Sequence, residues 1–120
     1  MNKHTKGVWT PVELERHRSF RHFKAEEIGE YLLSVQASEC HYCDPRKTLA
    51  DPSGYSRVEV GIMGPDGELQ GPEDVEGLPD EVVECYEGTG ESGVRGVFAW
   101  VPVSCLDEIR AAIAKATKGE

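Results

Sequence analysis

Residues 54–64 alternate with a period of two. Val58, Val60 and Ile62 fall on one side, and Tyr55, Arg57, Glu59 and Gly61 on the other. Side chains of a strand point alternately to its two faces, so this pattern demands a strand with one face buried. Gly64-Pro65-Asp66-Gly67 follows at once and reads as a reverse turn, because Pro presets φ and Gly tolerates positive φ. A half-buried strand closed by a tight turn needs a partner beside it and a core beneath it. The chain must therefore build a sheet of antiparallel strands.

Further strands are expected at 31–37, where Tyr31, Leu33, Val35 and Ala37 alternate, at 81–87 with Val82, Val83, Cys85 and Tyr86, and at 94–103 around Val97, Phe98, Trp100 and Val101. Residues 30–37 also carry a weaker helical spacing in Ile28, Leu32 and Val35. Two helices are expected at the ends. Thr10-Pro11-Val12-Glu13 has the form of a helix start, a cap followed by Pro and then Glu, and predicts a helix running toward Phe23 with Phe20 and Phe23 on one face. Ala25 to Gly29 extends it or forms a separate turn. Ser104-Cys105-Leu106-Asp107 predicts the cap of a C-terminal helix with an apolar stripe of Leu106, Ile109, Ala112 and Ile113, stopping at Gly119. The expected fold is α+β over residues 1–120 as one domain: an antiparallel sheet of about four strands with an N-terminal and a C-terminal helix.

Charge is distributed unevenly. Residues 1–57 carry nine Lys or Arg against eight Asp or Glu, and residues 95–120 carry four against three. Residues 58–94 carry eleven acids and no base. A surface like this repels nucleic-acid phosphates and attracts a basic protein. The acids that would face such a partner are Asp66, Glu68, Glu73, Asp74, Glu76, Asp80, Glu81, Glu84, Glu87 and Glu91. The alternative is a solvated loop that aids solubility, and residues 71–79, where Gly and Pro recur among acids, have that loop character. No apolar run approaches the roughly 20 residues of a membrane span. The polar, basic start carries no export signal, so the expected compartment is the host cytosol, without membrane contact.

Reactive residue types concentrate in Cys40-His41-Tyr42-Cys43-Asp44-Pro45-Arg46. Cys40 and Cys43 have the spacing of two zinc ligands on a tight turn, with His17 and His22 upstream as the other pair. On one continuous helix those histidines would sit about 140° apart, so both reach one metal only if the helix ends between them. Packed thiols need no metal, and no other cofactor is indicated. Gln36, His41, Tyr42 and Arg46 form a second candidate set, donors and a stacking surface for a small nucleotide-like anion. Against this, Arg46 can simply pair with Asp44 or Glu59. Glu59 beside the turn can also serve as a general base, but no nucleophile-base pair, phosphate loop or His-Glu-x-x-His accompanies it. Catalytic residues are not identifiable.

Two sets of residues carry a resemblance. His4-Thr5-Lys6-Gly7-Val8-Trp9 is similar to the His-Thr-Pro-Gly-Pro-Trp opening of small uncharacterised phage and prophage proteins, with Lys6 and Val8 in place of prolines. Ser34-Val35-Gln36-Ala37-Ser38, His41-Tyr42-Cys43, Pro45-Arg46, Val58-Glu59-Val60-Gly61 and Val101-Pro102-Val103 resemble small phage-associated proteins in which a strand leads into a His-Tyr-Cys-x-Pro-Arg turn. The resemblance implies a phage accessory protein and supplies no catalytic residues. Combined with the acidic segment, it suggests an anti-defence inhibitor, for instance an anti-CRISPR protein, that covers a basic, nucleic-acid-binding host surface. A small-molecule binder or sponge comes second, a zinc-stabilised module third and an enzyme last.

Overall fold

A computed structural model describes residues 9–14, 21–88 and 96–118. Most of the opening motif, His17 and Phe20 of the expected N-terminal helix, Glu91 with the Gly-rich connection at 89–93, and Gly119 lie outside the described residues.

Four strands form one antiparallel sheet in sequence order: β1 (Glu26–Ile28), β2 (Tyr31–Gln36), β3 (Arg57–Met63) and β4 (Phe98–Pro102). Ile28 opposes Tyr31, so β1 and β2 are joined by a two-residue turn, Gly29-Glu30. Gly29 has φ +61 and Glu30 does not share a positive φ. That is the geometry of a tight hairpin whose first turn residue must be Gly. β2 and β3 pair from Leu32 with Met63 to Gln36 with Glu59. The turn after β3 forms as expected, Gly67 donating to the Gly64 carbonyl at 2.9 Å with φ +83.

The C-terminal helix is α2 (Leu106–Lys118), entered through a short 3-10 turn at Val103–Cys105. Ser104 therefore lies inside a helical turn and does not cap it. Leu106, Ile109 and Ile113 are fully buried, together with Leu33, Val35, Val58, Val60, Ile62, Phe98 and Val101 from the sheet. One face of the sheet and the apolar stripe of α2 thus make the core. Burying each such side chain stabilises the fold by roughly 1.5–3 kcal/mol. The opposite sheet face carries Ser34 and Gln36 on β2 and Arg57 and Glu59 on β3.

Two expected elements are corrected. The helix toward Phe23 does not form in the described part of that segment. Leu14 donates to the His22 carbonyl at 3.0 Å and Lys24 to the Val12 carbonyl at 2.7 Å, so 12–14 and 22–24 pair as antiparallel extended chain. The cause is tertiary. The Gln36 amide accepts from Phe23 N at 2.7 Å and donates to Phe23 O at 2.8 Å, occupying the groups a helix would use. Trp9 packs edge-on against Phe23 at 5.4 Å. A capping signal worth about 1 kcal/mol does not outweigh these contacts.

The strand expected at 81–87 is instead a single helical turn, α1 (Asp80–Val83), after which Tyr86 alone bridges to Phe98. Pro79 before the turn and Asp80 and Glu81 within it favour a helix start. Val82 points into the core, as strand or helix equally permits.

Candidate functional site

Among the described residues from Asp66 to Glu87, every expected partner-facing acid is exposed: Asp66, Glu68, Glu73, Asp74, Glu76, Asp80, Glu81, Glu84 and Glu87. Several of the apolar residues between them are buried, while Leu69 is half-buried and Val83 is exposed. Val75, Leu78 and Val82 enter the core, and Gly77 lies beside α2 within ordinary contact range of Ala112. Gly77 has φ +95, a conformation suited to glycine. Loop 71–79 is thus pinned at intervals rather than free, and Asp74 closes one turn by accepting from Gly71 N at 2.8 Å. The acids are displayed on a scaffold.

The turn at 38–46 is built from its own polar groups. Ser38 Oγ lies 2.7 Å from His41 Nδ1 and accepts from Cys40 N at 3.0 Å. The Cys43 thiol donates to the Ser38 and Pro45 carbonyls at 3.2 and 3.4 Å. Burial raises the Cys43 pKa, while the Ser38 bond opposes this. His41 is buried, and burial, then His22, Arg21 and Arg46, hold its pKa down at about 4, so it is neutral at pH 7.

The expected ligand set does not converge. Gln36 is consumed by Phe23 and Ser34, and His41 is buried. Tyr42 and Arg46 do come together, with the guanidinium 5.2 Å from the ring centroid. Arg46 therefore lies on an aromatic ring rather than in a close ion pair with Asp44 or Glu59. Glu59, half-buried on β3, accepts from Tyr42 N at 3.4 Å. Burial raises its pKa, while Tyr42 N–H, Arg46 and His22 lower it. A cavity of about 590 Å³ lies elsewhere, lined by Trp9, Val12, Lys24, Glu26 and Arg110 among others, and none of the expected ligand residues faces it.

Of the expected zinc ligands, Cys40 is exposed, Cys43 is buried, and the His22 ring packs against His41 at 5.5 Å. Among the described residues no group of three or more His, Cys, Asp or Glu gathers around one point. No helix among the described residues is long and apolar enough to cross a membrane.

Sequence reasoning missed two residues. Arg21 is buried, donating to the Leu49 and Ala37 carbonyls at 2.6 and 3.0 Å and to Tyr55 Oη at 3.0 Å, with its guanidinium 4.6 Å from the Phe23 ring centre. It is a structural cation, tying 21–23 to the turn. The other is Trp100. Val58 opposes Val101 but Val60 opposes Phe98, so β4 carries one extra residue, a bulge. Trp100 sits in it at φ +55, with its indole 42% exposed beside Tyr42, which is 38% exposed. Their ring centroids are 5.0 Å apart. The sequence shows only an apolar run from Val97 to Val101 without alternation, which does not reveal a bulge.

No family model, no curated protein and no solved structure matches the chain.

Proposed function

We propose that this chain is an interaction protein that binds a basic surface of another protein through the acidic segment 66–91. The observation that carries this reading is the division of labour within that segment. Its apolar residues Val75, Leu78 and Val82 are spent on the core, and each described carboxylate from Asp66 to Glu87 is exposed. A fixed array of one sign steers an oppositely charged partner and orients it at encounter. The net charge of −9 argues against direct nucleic-acid binding. In the setting that the phage resemblance implies, the partner is a host defence effector whose nucleic-acid-binding surface the acids cover.

Immobilised protein exposed to a bacterial lysate at ~50 mM and ~500 mM salt tests this, because exposed charges are largely screened at the higher value. The expected partner is retained by the native chain at low salt and released at high salt. It is not retained at low salt by a chain carrying Glu73→Lys, Glu76→Lys, Asp80→Lys and Glu84→Lys. Equal retention by both chains contradicts the proposal.

A further inference from the structure

The bulge in β4 holds a bulky residue where glycine is ordinarily required. A non-glycine residue in the left-handed region is strained and persists only when its surroundings enforce it. Here they do. Trp100 N donates to the Tyr42 carbonyl at 3.2 Å, and Ala99 N to the Cys85 carbonyl at 2.8 Å. The Trp100 carbonyl accepts from Arg57 Nη1 at 2.9 Å and from the Cys85 thiol at 3.7 Å. Four bonds thus secure a conformation whose visible product is an indole turned partly to solvent against a second exposed ring.

We propose that Trp100 and Tyr42 are the anchor of the partner interface and receive an arginine side chain of that partner, a proposal that rests on the acidic-surface reading above. The pair already holds one guanidinium, that of Arg46 over Tyr42. Trp is the stronger of the two rings as a cation acceptor, and a planar guanidinium stacks where an ammonium does not. Charge favours a cation despite the two already present. Arg46 lies on Tyr42 and Arg57 on the Trp100 carbonyl. Five carboxylates act electrostatically on the neighbouring Cys43 and Cys85. Asp44 and Glu59 border the turn, and Glu81, Glu84 and Glu87 act electrostatically on Cys85, whose sulfur touches the Trp100 backbone. An aromatic centre rimmed by charge is the usual anatomy of an interface hot spot, where Trp, Tyr and Arg are over-represented. A nucleobase would stack equally well, but its phosphates would meet those acids.

The test uses a labelled peptide of alternating Arg and Gly with six arginines, its Lys counterpart and a ten-residue oligothymidylate. Each is titrated at low salt into the native chain, Trp100→Gly, Trp100→Phe, Tyr42→Ala and the four-Lys variant. Glycine suits φ +55, so Trp100→Gly should melt no lower than the native chain. The Arg peptide should bind it about tenfold more weakly, with Trp100→Phe between and Tyr42→Ala also weakened. The Lys peptide should bind the native chain more weakly and respond less to Trp100→Gly, and the oligonucleotide should not bind. Unchanged Arg-peptide affinity in Trp100→Gly and Tyr42→Ala, or no binding to the native chain, overturns the anchor. Trp100-dependent binding of the oligonucleotide overturns the choice of arginine. Loss in the four-Lys variant alone removes the anchor and leaves the acidic surface standing. Loss in the Trp100 variants alone does the reverse.

Discussion

Carboxylates appear in two settings in this molecule. At the junction of β1 and α2, Glu26 grips Arg110 through two bonds of 2.8 and 2.9 Å, and Asp107 takes a third at 2.8 Å. These charges belong to the fold. They join an edge strand to the C-terminal helix, and Glu26's bonds raise the Arg110 pKa further. From Asp66 to Glu87 the same chemical group recurs nine times on exposed residues, in a stretch without Lys, Arg or His. There most of the structural labour falls to Val75, Leu78 and Val82, with Asp74 closing one turn on Gly71 N. The first pair of acids is matched by a base within the fold, whereas the second group is displayed on a pinned, exposed scaffold.

Perturbing each setting sharpens the contrast. The largest effect on stability should come from the scaffold. Val82→Ala truncates the fully buried side chain of α1 and should cost about 2 kcal/mol in urea unfolding, with faster amide exchange in 71–83. A smaller effect concerns a charge suppressed by burial. His41 titrates near 6.5 when unfolded and about 4 when folded, so the unfolded chain binds the extra proton in between. Its contribution is therefore unchanged above pH 6.5, declines as pH falls from 6.5 to 4, and levels off below. Glu59, with its pKa raised, works in the opposite direction, gaining stability as it protonates. Comparing native protein with His41→Gln isolates the histidine: the difference in unfolding free energy should slope across pH 4–6.5 and be flat above. The smallest effect belongs to the paired charges. Arg110→Met should cost roughly 1 kcal/mol or less, because the pair is partly exposed to solvent, and should leave partner capture unchanged.

Most of the sheet was readable because its signals are local. β3 alternates strictly, β2 alternates with one helical competitor, and α2 carries a four-residue stripe with no conflicting pattern. The described residues 9–14 and 21–24 depart from the expected helix because their conformation is decided elsewhere. Gln36 clips Phe23 from thirteen residues downstream, and Arg21 reaches Leu49. A capping motif contains no information about such partners. At 80–87, buried Val82 suits either period, and only Pro79 followed by two acids favoured a turn of helix. The candidate site divides in the same way. Exposure of the acids followed from composition, whereas the Trp100 bulge depends on pairing with β3, Tyr42 and Cys85, which a sequence does not display.

The most direct measurement is the affinity of the captured partner for the native chain and for the four-Lys variant at low and high salt. Replacing four acids with Lys takes the net charge from −9 to −1. The four-Lys variant should bind at least about a hundredfold more weakly at low salt, equivalent to roughly 2.7 kcal/mol, with a much smaller gap at high salt, and should still melt cooperatively. Equal affinities at low salt would show that the acidic segment is a solubilising surface and not the binding one.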